Sequence, residues 1–164
     1  MNIFVLDRNP VVAAQMQCDR HVVKMVLESA QMLSTAVNLL GGKGRYKSNH
    51  VNHPCSKWAR ETLGNFIWLH DHGMALAKEY TERYGKRHKS EEVIQDCMYE
   101  LRQIKVPVPV YSYKRTPHPL CMPDQYKTDD PVQSYRTFYL QDKVRFAEWN
   151  KTRPAPEWWV QGGE

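Results

Sequence analysis

The sequence contains no apolar run of the roughly 18–20 residues that a membrane helix needs, so no membrane partner is expected. Its N-terminus lacks a basic stretch followed by an apolar one, so no secretory leader is read and a cytoplasmic protein is expected. Cysteine is sparse. Cys18, Cys55, Cys97 and Cys121 are spread without a dense framework, which fits a reducing compartment. Gly41-Gly42-Lys43-Gly44 lacks the spacing of a phosphate loop, and no strand precedes it. There is no Gly-x-Ser-x-Gly elbow and no dinucleotide fingerprint. No cofactor is therefore expected. Internal repeats and low-complexity tracts are absent as well.

What is present suits an ordinary globular chain. The 164 residues are 41% hydrophobic and 25% charged, enough for one hydrophobic core. A single domain over 1–164 is expected, with an aromatic tail at 150–164 packing on the body. The net charge is +5, and it is unevenly spread. Residues 41–60 hold Lys43, Arg45, Lys47, Lys57 and Arg60 with no Asp or Glu, while the rest of the chain is nearly balanced. Such a block is either a solvated loop or a polyanion contact.

The pattern predicts an all-α fold of about four helices, with a short extended N-terminus and a long Pro-rich loop. Asn2 to Leu6 is short and β-prone. Asn9-Pro10 is a helix start, and Gly41-Gly42 a stop, so one helix is predicted between them. Pro54 opens a second, running to Gly85. Ser90 is placed to cap a third. Residues 106–123 carry five prolines, which exclude a helix or central strand. Asp130-Pro131 starts the last helix, predicted to reach about Trp149 with Tyr135, Phe138, Tyr139, Phe146 and Trp149 on its core face.

The first helix carries an unusual stripe. At 100° per residue, Gln17, His21, Lys24, Glu28, Gln31 and Thr35 fall within an arc of about 80°. Most of the remaining circumference is apolar, as in a buried helix. The stripe is then either a narrow solvent face or the wall of a cleft. In a cleft, Lys24 beside His21 can serve as an amine nucleophile, and Glu28 as a general acid or base. Asp19 lies off the stripe on the apolar side, where it either pairs with a base or orients a catalytic group.

Further groups extend the candidate site. His53, Lys57 and Arg60, with Lys43 and Arg45, are candidate substrate contacts, as are Gln17 and Gln31. Tyr111-Ser112-Tyr113-Lys114-Arg115 interleaves aromatic and basic residues, which suits stacking on unpaired bases. Cys18, His21, His53 and Cys55 offer a possible tetrahedral zinc set, although the one-residue spacing of the second pair is tight. No metal is expected on the main reading. DNA or a nucleotide is the expected partner.

Taken in order, the N-terminal segment, the striped helix, the basic loop, the aromatic helix ending in basic residues, the Pro-rich loop and the tail Arg153-Pro-Ala-Pro-Glu-Trp-Trp159 form a layout. It resembles the small phage pyrimidine-dimer DNA glycosylase/AP lyases of the endonuclease V type. His53-Pro-Cys-Ser-Lys-Trp-Ala-Arg60 and Met122-Pro-Asp-Gln-Tyr-Lys127 are also similar to small phage proteins without an assigned chemistry. The resemblance implies a compact all-α fold with an N-terminal amine, a helix-one Glu and several Arg at the damaged nucleotide. Here Asn2 disfavours removal of Met1, so a Schiff base would form on the Met1 amine or on Lys24. Arg20 and Lys24 partly match the family's arginines, and Glu28 stands for its acid. The implied activity is that of a DNA glycosylase with possible lyase action. Two alternatives remain: a non-catalytic factor binding nucleic acid or a host protein, and an enzyme acting on small nucleotides.

Overall fold

A computed structural model describes residues 1–105 and 112–160. Among them are six α-helices and no strand, the predicted all-α class. Tyr111 lies outside the described residues, as do 161–164 at the end of the tail.

Helix α1 spans Pro10–Met16, where Asn9 Oδ1 accepts from the Val11 and Val12 amides. Helix α2 spans Asp19–Leu39. The single helix predicted from 10 to 40 is thus two, broken at Gln17 and Cys18, which are extended. The cause lies 66 residues further along the chain. Arg83 donates from Nη1 to Gln17 O at 2.8 Å and from Nη2 to Gln15 O at 3.0 Å. These are carbonyls that a continuous helix would satisfy from within. The Asp19 amide in turn donates to Glu148 O at 2.9 Å instead of to the preceding turn.

The second predicted helix is also two. Helix α3 spans Pro54–Glu61 and α4 spans Leu63–Tyr84. Thr62 separates them at φ −139° and ψ 156°, and its hydroxyl accepts the Asn65 amide at 3.0 Å. That local cap turns the chain at the cost of one residue of helix. Gly85 closes α4 in the left-handed region at φ 73°, where a side chain would be strained. Helix α5 spans Glu91–Gln103. Ser90 makes no cap bond there, because its hydroxyl pairs with Tyr46 Oη at 2.8 Å. Helix α6 spans Pro131–Phe138, with the Asp130 carboxylate accepting the Val132 amide. A wide turn at Tyr139–Lys143 ends it, well short of Trp149. Phe146 and Trp149 therefore reach the body from irregular backbone, not from a helix face.

Helix α2 is central and packs against α3, α4 and α5, while α1 packs on α4. Val22, Val26 and Leu33 of α2 and Leu69 and Leu76 of α4 are wholly buried. Ile3 to Leu6 are buried too, although this segment pairs with no strand. The tail packs back: Trp149, Trp158 and Trp159 surround Tyr139 with ring centroids 6.1–6.4 Å away. No described helix is long and apolar enough to cross a membrane.

Candidate active site

The polar stripe of α2 is neither solvent face nor open cleft wall. The N-terminal segment lies along it. Phe4 stacks on His21 at 4.3 Å between centroids, and Met1 and Asn2 sit over Glu28. From His21 to Glu28 the helix rises about 10 Å, and three extended residues from Phe4 back to Met1 span about the same length. The strap and the helix therefore run side by side in opposite directions. Further along, Thr35 Oγ1 accepts the Asn49 amide at 3.0 Å, so the 41–53 loop covers the far end of the stripe.

The Met1 α-amine lies 3.5 Å from Glu28 Oε1, and the Asn2 amide donates to the same oxygen at 3.2 Å. Lys24 Nζ approaches the other oxygen at 3.7 Å. Both the Met1 and Glu28 side chains are buried, at 3% and 9% exposure, while that of Lys24 is 66% exposed. Glu28 is thus a nearly dry carboxylate held between two amines. Burial pushes the His53 imidazole pKa down, and the charges of Met1 and His50 push it further, while Glu28 opposes them. His53 therefore belongs to the same cluster, and stays neutral readily near pH 7.

The other candidates have different neighbours. His21 Nδ1 is 2.6 Å from Tyr139 Oη, and burial, with Lys143, Lys24 and Arg20 nearby, lowers its pKa to about 3. It is a neutral strut between Phe4 and Tyr139, unable to hold a proton at neutral pH. The Asp19 carboxylate accepts from Arg83 at 3.1 Å and from the Asn150 amide at 2.8 Å. Arg83 also binds Glu79, which Arg153 grips at 2.7 and 3.1 Å. This is a buried charge network that ties the α1–α2 break to the tail. Gln17 is off the stripe; its Nε2 donates to His72 Nε2 at 3.1 Å, while His72 Nδ1 donates to Pro10 O at 2.9 Å. Gln31 is half-buried on α2.

The basic segment 41–60 does not face the Met1–Glu28 cluster as one wall. Arg45 is bound to Glu92 and Asp96 of α5. Arg60 Nη2 donates to Val51 O at 2.8 Å, holding its own loop. Lys43 and Lys57 are exposed. Tyr113, 76% exposed, borders a hollow with Leu63, Ile67 and Met98 between α4 and α5. A different cationic groove adjoins Lys24. Its lining includes Arg20, Lys24, Tyr84, Arg145, Phe146 and Lys151. Among the described residues, Arg20, Arg145 and Lys151 have no carboxylate within 4.0 Å. Arg20 and Lys151 rest instead on Phe146 and Tyr84, 5.0 and 5.1 Å from the ring centres.

Sequence reasoning missed Asn2, Tyr135 and Cys121. Asn2 Nδ2 donates to Cys121 O at 2.9 Å, and Tyr135 Oη stands 2.8 Å from Asn2 Oδ1. Cys121 Sγ lies 3.7 Å from Cys55 Sγ. The sharing of a proton between the thiols raises the pKa of Cys55 and lowers that of Cys121. Four residues from four segments so distant in sequence leave no periodic signal, although the polar Asn2 next to a buried apolar run was a visible anomaly.

The amine, the dry carboxylate and the adjacent cationic groove all bear on one comparison. Residues 1–92 match the pyrimidine dimer DNA glycosylase family. The chain belongs to that family. The matched span contains Met1, Lys24, Glu28 and His53, whereas Cys121 and the groove residues Arg145 and Lys151 lie beyond it. No curated protein and no solved structure matches the chain. The family assignment makes DNA glycosylase-like chemistry the frame for the Met1–Glu28 pair.

Proposed function

We propose that this protein excises a damaged base from DNA and then cleaves the abasic strand, using the Met1 amine as nucleophile. The observation that carries this reading is the Met1 α-amine held 3.5 Å from the buried Glu28 carboxylate. An ammonium cannot attack, so the amine must first lose a proton, and Glu28 Oε1 is the nearest base to take it. The neutral nitrogen attacks C1′ of the nucleotide. As the C–N bond forms, the glycosidic bond breaks and the base departs with the bonding pair, taking a proton. The sugar ring then opens as O4′ leaves with its bonding pair and takes the proton held by Glu28, which gives the protonated Schiff base. Proton removal at C2′ then expels the 3′ phosphate. Such a step needs the nucleotide turned out of the duplex, toward Glu28.

The groove of Arg20, Lys24, Arg145 and Lys151 supplies the phosphate contacts in this reading. Lys24 serves there as a cation, its Nζ 3.7 Å from Glu28 Oε2. His21 and Asp19 support the site as structure, His21 by carrying Phe4 and Asp19 by anchoring Arg83. A pyrimidine dimer in duplex DNA is the substrate to try first, given the family, and the cytoplasm is the compartment that suits such a protein.

The direct test is base release and strand cleavage on a duplex carrying one pyrimidine dimer. Wild type cleaves it, and Glu28→Gln does not. Lys24→Ala retains cleavage with weakened substrate binding. Cleavage equal to wild type by Glu28→Gln contradicts the reading. Activity on free nucleotides but not on the duplex would instead favour a small-nucleotide enzyme.

A further inference from the structure

We propose that His53, Cys55 and Cys121 form a binding site for a soft divalent cation of the zinc type, held by two thiolates and one imidazole. Their ligand atoms all lie within 4.8 Å of one another. The two sulfurs are 3.7 Å apart. A tetrahedral zinc ion with Zn–S bonds of about 2.3 Å keeps its sulfurs about 3.8 Å apart, so this edge of the tetrahedron is already formed. The imidazole has to close by about 1 Å to complete the third bond. Two thiolates and an imidazole are the donor set that zinc prefers to magnesium or calcium.

The three ligands are held by structure around them. His53 is the N-cap of α3, and Cys55 lies in that helix's first turn, fully buried. Cys121 comes from the irregular segment after the prolines. Its amide donates to Tyr135 Oη at 3.2 Å, and its carbonyl accepts from Asn2 at 2.9 Å. These bonds fix the Cys121 backbone much as outer-shell partners fix a ligand. His53 Nδ1 now accepts the Cys55 amide at 3.0 Å. A neutral imidazole has one free lone pair, so metal binding trades that cap bond for a coordinate bond. A fourth position is left to water.

This set differs from the one the sequence offers. Cys18 and His21 gather around Tyr139, at 3.7 and 2.6 Å from its oxygen, and not with His53 and Cys55. Cys121 takes their place. A bound ion would clamp three segments that meet beside Glu28: the start of α3, the 112–123 stretch and, through Asn2, the N-terminal strap. The inference does not depend on the base-excision reading.

Titration of the reduced, metal-stripped full chain with Co²⁺ tests it. The expected result is a one-to-one complex with thiolate-to-cobalt charge-transfer absorption, abolished by stoichiometric Zn²⁺, and a melting temperature raised by Zn²⁺. Cys121→Ser loses the charge-transfer band in large part and the zinc-dependent rise with it. Cys97→Ser, which alters a buried cysteine elsewhere, keeps both. Cys121 is only half-buried, so its variant answers even if Cys55→Ser fails to fold. Reduced wild-type protein without a thiolate–cobalt band, or a Cys121→Ser variant that matches wild type, overturns the site.

Discussion

Met1 N and Glu28 Oε1 lie 3.5 Å apart, with the Asn2 amide on the same oxygen. A buried carboxylate is costly unless it is paired, and the Met1 amine is the pairing cation on this oxygen. Glu28→Gln keeps the shape and an acceptor oxygen for the Asn2 amide but loses the base. Turnover should fall by about 10²–10⁴-fold, the usual range for general acid–base groups. Circular dichroism should remain that of the wild type. A fall of less than about tenfold in single-turnover assays would remove Glu28 from proton transfer.

Asp19 and Arg83 define a different role. Arg83 is fully buried and Asp19 nearly so, and Arg83 also carries the carbonyls at the α1–α2 break. Asp19→Ala leaves a buried guanidinium short of one partner. Its cost is expected at about 3–5 kcal/mol in urea unfolding, and folded protein should keep its activity. Loss of activity in folded Asp19→Ala, with stability intact, would make Asp19 catalytic.

The buried histidines set an acid limit. Burial lowers the pKa of His72 to about 4, and of His21 and His118 to about 3. In the unfolded chain each returns to about 6.5. Below that value the unfolded state binds more protons, so stability is full above about pH 6.5 and declines as pH falls toward 4. The combined loss is of the order of several kcal/mol. Denaturant titrations between pH 7 and 4 should show this slope, and His72→Gln should flatten it. An unchanged midpoint across that range would contradict the burial of these rings as neutral groups.

The cationic groove predicts the salt dependence of DNA binding. Arg145→Ala and Lys151→Ala should each lower the slope of log K against log salt by roughly one. Arg45→Ala should leave it unchanged, since that guanidinium is engaged by Glu92 and Asp96. Equal effects of all three substitutions would return the 41–60 block to the interface.

Local signals were legible in the sequence. Asn9-Pro10, Pro54, Gly85 and Asp130-Pro131 mark helix ends through caps and fixed dihedrals that involve only neighbours. Glu28 stood out within the polar stripe of an otherwise apolar helix, and His53 as a candidate ligand and substrate contact at the end of the basic loop. The break at Gln17 was not legible, because its cause is Arg83 on another helix. The charge count pointed to 41–60, yet Arg45 there is matched by α5 acids. The open cations Arg145 and Lys151 come instead from a stretch that is balanced in sequence. Segment charge ignores partners, and partners are a tertiary property. Cys55 and Cys121, 66 residues apart, meet for the same reason.

The most direct measurement is borohydride trapping of the protein on DNA with an abasic site, followed by peptide mass spectrometry. Reduction turns a Schiff base into a stable amine linkage. The account predicts a trapped adduct on the N-terminal peptide, attached at the Met1 nitrogen, and little or none with Glu28→Gln. An adduct mapped to Lys24, or no adduct from active protein, would contradict it.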